Sequence, residues 1–374
     1  MKKLLFTISS LENSGGSERS LIYRVNYLIE EFDYDITIVT TDKGATSSFY
    51  KIHPKIKVVN IPVLLKKSTV WNTVKSIFHN THVQEKELKE FIIKNRFDIC
   101  SSLGSMNFLY KSNLDHPFIK IKESRFTYKR FFPDKIFNVP KLVWRLVRLA
   151  SSIHVLRQMD YVISLTEEDG GFWRMFHKKV HIMPNFINFN GISSSNLQSK
   201  VVIAVGRLEK EKDFASLIKS FQLVSKNHNN WKLEIYGEGS LNRGLNDLII
   251  SLNLTENVFL KGAVSNIFEK FQNSSIYVHS SFYEGFGNSI LEAMAHGLPI
   301  VAFKSVGGVK ILIDDSINGF LVENRNVHLL AEKINLLIED VELRKEMGIN
   351  SRIKVDNYSE EKIMLQWHQF YSSI

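Results

Sequence analysis

Two carboxylates and two cations in the second half of the chain are spaced so that one polar site can be built from them. Glu284 and Glu292 stand with seven residues between them within SSFYEGFGNSILEAMAHGLP. Glu284 falls in a loop, where Gly285 and Gly287 remove Cβ atoms so that the backbone can turn and a ligand can approach it. Asn288 or Ser289 then caps a helix whose buried stripe is Ile290, Leu291 and Met294, and which Gly297 and Pro299 bring to a stop. Glu292 projects from the first turns of that helix, close to Glu284. A helix start offers N–H groups and the positive end of a dipole, which suits a diphosphate, while carboxylates accept hydrogen bonds from hydroxyls. Phosphate and sugar together are the implied guest. Upstream, Gly206 and Arg207 end a strand and Lys212 precedes a helix from Asp213. An arginine fork and a lysine point charge suit the same diphosphate. Gly237, in LEIYGEGS, marks another strand end where a nucleotide can lie against the backbone. Taken alone, an E-x7-E pair is more often an ordinary pair of helix-start carboxylates favoured by the dipole; the glycine placement and the flanking residues turn the reading toward a site.

The order G-R-x4-K and then EGFGNSILEAMAHGLPIVA resembles the signature of family 4 glycosyltransferases, the glycosyl transferases group 1, which have the GT-B fold. The resemblance is strongest over residues 200–323 and thin before 185. It implies an α/β protein of two Rossmann-like, doubly wound domains facing across a cleft, with the acceptor in the first and the donor in the second. It further implies a retaining transfer from a nucleotide sugar, a UDP-sugar, with no metal and no cofactor besides that donor. Carried over residue by residue, Glu284 faces the donor sugar and Glu292 holds the ribose. Arg207 and Lys212 bind the diphosphate and, with Glu284, carry the catalysis. Gly206, Gly237, Gly285, Phe286, Gly287, Asn288 and Ser289 surround the donor, and Gly16, in a GG-x-E loop near the N-terminus, approaches its phosphates. Two departures are visible: Asp213 stands where glycine is commoner, and Ile311 where Glu is usual.

The elements that must position these residues follow from pattern and composition. At 374 residues the length points to roughly two or three domains. A hydrophobic content of 44% with 23% charged residues is that of a globular protein. The single cysteine, Cys100 in FDIC, excludes an internal disulfide framework and zinc clusters and reads as a buried strand residue. MKKLLFTISS reads as a first strand, and no run reaches the roughly 18 apolar residues of a membrane span. Strand-like runs alternate with helical ones over 1–188 and again over 199–357, with a polar, serine-rich linker between them at 189–200 and a last helix at 359–374, which the resemblance implies packs back on the first domain. Asp33-Tyr34-Asp35 reads as the junction of two elements and not as a metal motif.

The net charge is +9, and between Phe118 and Arg148 nine cations face two carboxylates, a surplus of seven interleaved with aromatic residues. An anionic membrane surface bound through 118–148 is the expected partner, with a lipid-linked or saccharide acceptor and no nucleic acid. The expected location is the cytoplasm, at the inner face of the cell membrane, in synthesis of a bacterial surface polysaccharide. Glu123 and Arg125 are acceptor-side candidates. Two rivals remain at this level. A nicotinamide-dependent dehydrogenase is disfavoured by the missing G-x-G-x-x-G, and a non-catalytic binding protein by the intact set of Arg207, Lys212, Glu284 and Glu292. A soluble acceptor is the alternative within the transferase reading.

Overall fold

The computed structural model describes residues 1–13, 15–42, 44, 47–62, 82–103, 118–132 and 139–374. The chain forms two units, one of Met1–Pro184 with Met364–Ile374 and one of Asn185–Ile363.

The first unit is built on β1 (Lys3–Ile8), β2 (Asp35–Thr40), β3 (Lys57–Asn60), β4 (Ile99–Leu103), β5 (Ile119–Ser124), β6 (Tyr161–Ser164) and β7 (Val180–Ile182). They lie in the order β3-β2-β1-β4-β5-β6-β7, with every neighbouring pair parallel. Leu4, Leu5, Ile36, Ile38, Ile99 and Cys100 are buried, so the central strands are covered on both faces and read as continuous apolar runs. Asp33 ends the helix Gly16–Phe32 in a left-handed conformation and Asp35 opens β2, so the two aspartates serve as a junction. Trp367 and Tyr371, from the returning C-terminal residues, are fully buried in this unit, with Arg24 stacked 4.0 Å over Trp367.

The basic stretch does not form one continuous face. Residues 133–138, including Asp134, Lys135 and Phe137, lie outside the described residues. Glu123 and Arg125 are both buried: Glu123 accepts from Arg24 at 2.7 Å and Ser101 at 2.7 Å, and Arg125 lies 3.4 Å from Glu123 and donates to Ser20 at 2.5 Å. Their expected acceptor-side role is therefore corrected to an internal ion network, which forms because a strand-end carboxylate buried against a helix needs its charge compensated. Tyr128 stacks on Phe172 and Phe131 packs edge-on to Trp173, so these aromatics belong to packing.

The second unit contains β8 (Val201–Val205), β9 (Lys232–Tyr236), β10 (Val258–Gly262), β11 (Ile276–His279), β12 (Tyr283–Glu284), β13 (Ile300–Phe303), β14 (Val306–Gly307) and β15 (Gly319–Val322). Six of these form a parallel sheet in the order β10-β9-β8-β11-β13-β15, and β12 pairs separately with β14. Leu217 and Phe221 of the helix Phe214–Asn227 and Leu330 and Ile334 of the helix Val327–Glu339 pack with Val202 and Ile235 to form its core. The expected linker at 189–200 is instead part of this unit. Ser195 is bonded to the His296 and Ser274 carbonyls, and the buried Arg344 donates to the Leu197 carbonyl. Its serine and asparagine side chains turn the chain locally, as Ser195 and Asn196 do by accepting from the N–H groups of Leu197 and Gln198.

Candidate active site

In an open parallel sheet, the strand order reverses between the first strand and its neighbour on the other side, and ligands bind at the carboxyl ends there. In the second unit those neighbours are β8 and β11. Gly206 and Arg207 follow β8 directly, and the segment leading to Glu284 follows β11. The fold thus brings residues 206–213 and 280–289 to one place.

The two loops are tied to each other. Phe282 N–H donates to the Glu211 carbonyl at 2.8 Å and Ser280 Oγ to the Lys212 carbonyl at 2.7 Å. Arg325, after β15, adds a third tie by reaching the Asp213 carboxylate together with the Ser280 carbonyl at 2.6 Å and the Ser281 carbonyl at 3.2 Å. Its guanidinium lies over the Phe282 and Phe303 rings. Nothing in sequence spacing marks Arg325. Asp213 adopts a left-handed conformation with φ 47°, which explains why glycine is common there; aspartate tolerates it.

Lys212 Nζ donates to Glu284 Oε2 at 2.5 Å, and the two side chains are 16% and 20% exposed. Burial pushes the Glu284 carboxyl up, but the Lys212 ammonium, with smaller contributions from His279, Lys212 hydrogen bonding and the Gly285 N–H, more than offsets this and holds it below its ordinary range. His279, read from sequence as a structural strand-end residue, lies in the same cluster with Nε2 3.5 Å from Glu284 Oε2. Its Nδ1 is 3.2 Å from the Tyr277 hydroxyl, which is 2.8 Å from Ser289 Oγ. The Tyr277 phenol is held well above its ordinary range, first by burial and then by the charges of Glu284 and Glu292, so both carboxylates act on one buried hydroxyl.

The glycines act through close approach. A Cβ on Gly237 would overlap the Gly206 carbonyl, and one on Gly307 or Gly308 would overlap the carbonyls of Glu284 and Phe286. At Gly206 a Cβ would stand 3.3 Å from the Lys212 stem. Gly287, with φ 103°, is itself the N-cap of the helix Asn288–Ala295, and no side chain caps it. This corrects the expected cap at Asn288 or Ser289. Both are already helical, Asn288 accepting from Asn185 and Ser289 meeting Tyr277. The Phe286 ring is corrected too: it is buried edge-on to Tyr358 and anchors the loop, because a large apolar ring next to two glycines is worth more in the core than against a sugar. Glu292 is buried on the same helix. Arg207 is 74% exposed and pairs with Glu211 on its own loop at 2.9 Å. Gly16 belongs to the first unit, where it opens the helix after β1. Among the described residues no group of three His, Cys, Asp or Glu side chains is placed to hold a metal ion.

A cation just ahead of a helix, a carboxylate held ionised beside it and an uncapped helix start can together bind a phosphorylated sugar. The family model for glycosyl transferases group 1 matches residues 187–354, the stretch that contains all of these groups. An uncharacterized glycosyltransferase of Haemophilus influenzae is 30% identical over 374 residues, covering 98% of this chain and 99% of the relative. The chain belongs to the group 1 glycosyltransferases. This group 1 enzyme is also 26% identical to a Campylobacter jejuni α-1,4-N-acetyl-D-galactosaminyltransferase acting on a diphospho-undecaprenol-linked saccharide, over all of this chain and 99% of that one. Among solved structures, Anabaena HepE in complex with UDP superposes with a TM-score of 0.78 at 17% identity, covering 100% of both chains. Sucrose-phosphate synthase from Thermosynechococcus elongatus does so with 0.81 at 16%, covering 100% of this chain and 99% of that one. These likenesses show the GT-B fold.

Proposed function

We propose that the enzyme transfers a sugar from a UDP-sugar to a lipid-linked saccharide during assembly of a bacterial surface polysaccharide, with retention and without a metal. The observation that carries this reading is the Lys212–Glu284 pair at the carboxyl ends of β8 and β11. Lys212, joined by the exposed Arg207, takes the diphosphate. Glu292 takes the ribose and Glu284 a sugar hydroxyl. As the sugar–phosphate bond breaks, negative charge grows on the diphosphate, and fixed cations beside a helix start stabilise it. No protein nucleophile is needed if the leaving phosphate takes the acceptor's proton on the same face. HepE with bound UDP supports the nucleotide, and the Campylobacter jejuni relative supports a diphospho-lipid acceptor. A relative named as a poly(ribitol-phosphate) α-N-acetylglucosaminyltransferase and one named for amylovoran biosynthesis support a surface glycan.

Among the described residues no helix is long and apolar enough to cross a membrane; on this reading the lipid acceptor is met at the bilayer surface. The helix Val139–Leu156 exposes Val143 and Leu146 beside Arg148, which lies over Trp144, and Phe126 is exposed under Arg130. Apolar tips among cations suit an anionic bilayer, each cation contributing about 1 kcal/mol. The place of action is then the inner face of the cell membrane.

The test supplies the purified enzyme with UDP-sugars and an undecaprenyl-diphosphate saccharide in anionic liposomes. The product should keep the donor's anomeric configuration, and EDTA should leave the rate unchanged. Replacing Lys129, Arg130, Arg145 and Arg148 together by Glu should abolish sedimentation with liposomes and lower transfer, while donor hydrolysis in solution stays normal. Full activity on a water-soluble saccharide, or liposome binding that survives the replacement, would contradict the lipid assignment.

A further inference from the structure

A diphosphate arriving at Lys212 competes with Glu284 for one ammonium, and its two charges outweigh a single carboxylate. Three side chains meet at Oε2 of Glu284: Lys212 at 2.5 Å, Ser281 at 3.5 Å and His279 at 3.5 Å. His279 ends β11, is buried, and has its Nδ1 against the Tyr277 hydroxyl. Its Nε2 has no hydrogen-bond partner among the described residues and points at that same oxygen. A buried ring nitrogen without a partner is costly, and a short approach of Glu284 relieves that cost.

We propose that His279 is a positioning residue that takes over Glu284 when the donor draws Lys212 onto its diphosphate, and that donor binding is thereby coupled to uptake of a proton from solvent. This rests on the reading of Lys212 and Glu284 as donor-site groups. Unlike a direct sugar contact, it concerns what holds the sugar-binding carboxylate once its own counter-ion has left.

The groups facing the imidazole set the sign. Burial holds His279 down to about 4; Glu284 opposes this, while Lys212 and Arg325 add to the lowering. Tyr277 lies on the same strand, and Glu292 acts on Tyr277 from the following helix. Arg325 stays tied to Asp213 and to the Ser280 and Ser281 carbonyls. Moving the Lys212 charge onto a diphosphate removes one repulsion and leaves Glu284 without its cation, so the affinity of His279 for a proton rises toward the ordinary value of 6.5. A proton affinity that is higher in the bound state means uptake on binding, and binding that tightens as pH falls between those two values.

Calorimetric titration with UDP-glucose in two buffers of different ionisation enthalpy measures the uptake directly, because its diphosphate diester has no group titrating in this range. Roughly half a proton is expected at pH 6 and none at pH 8. His279→Gln, whose amide can replace Nε2 without taking a proton, should hydrolyse the donor within about threefold of the parent and show no uptake. At pH 8, where no uptake is expected, His279→Leu should keep UDP-glucose affinity but lose about 10- to 100-fold in turnover, the worth of a hydrogen bond to a charged group. If His279→Leu does not fold, the uptake and the Gln variant decide. No uptake by the parent at pH 6, or a Gln variant that still takes up a proton, overturns the proposal. Should Lys212→Ala leave UDP-glucose affinity unchanged, the donor-site reading itself fails; if Lys212→Ala weakens binding and the parent takes up no proton, only the hand-over fails.

Discussion

Asp213 and Arg325 both hold the left-handed backbone that favours glycine, with φ of 47° and 52°, and their side chains pair with each other. Each position carries a conformational cost, which the pair offsets by joining two loops of the site. Removing one partner strands the other charge in a mostly covered setting, so Arg325→Met should destabilise the second unit by about 2 kcal/mol, discounted for partial exposure. In urea unfolding the double variant Asp213→Asn, Arg325→Met should lose less than the two single variants summed, because each single variant leaves the other charge uncompensated. Additive losses would contradict the coupling. Sequence alone showed Asp213 as a departure from glycine but gave no hint of its partner, because the contact spans 112 positions. His279 was hidden for a similar reason: its type and strand-end place fit a core histidine, and only the fold sets it beside Glu284.

Where the loop Tyr283–Gly287 meets β14, two backbones touch without side chains between them. Glu284 pairs with Gly307, whose φ is 97°, and a Cβ there would overlap the Glu284 carbonyl. Gly307→Ala should therefore cost at least about 2 kcal/mol and displace Glu284, reducing donor hydrolysis more than UDP affinity. Unfolding within about 0.5 kcal/mol of the parent with unchanged hydrolysis would contradict this account of the loop. The loop-to-helix form of residues 280–299 was legible because glycine placement and the Ile290, Leu291, Met294 stripe are local signals. Its cap was not. Asn288 and Ser289 have capping side chains, yet Gly287 at φ 103° turns the chain one residue earlier and frees both for tertiary bonds. The stretch 189–200 misled in the same way, since polar serines that bind carbonyls of their own unit look in sequence like serines in solvent.

Across the whole molecule, two parallel sheets give the GT-B fold, and they were legible because strands buried on both faces are written as unbroken apolar runs. Charge was less legible: among the described residues of the basic stretch, Arg125 is buried in a network around Glu123, while Arg148 is exposed on the helix Val139–Leu156. The central claim is that the second unit binds a nucleotide sugar through Lys212, Glu284 and Glu292. It is tested most directly by measuring UDP affinity and slow UDP-sugar hydrolysis for Glu284→Gln and Glu292→Gln side by side. The account predicts that Glu284→Gln loses hydrolysis about 10- to 100-fold with UDP affinity nearly intact, and that Glu292→Gln weakens UDP itself by about 10-fold or more. The reverse pattern, or two variants that bind and hydrolyse like the parent, would contradict it.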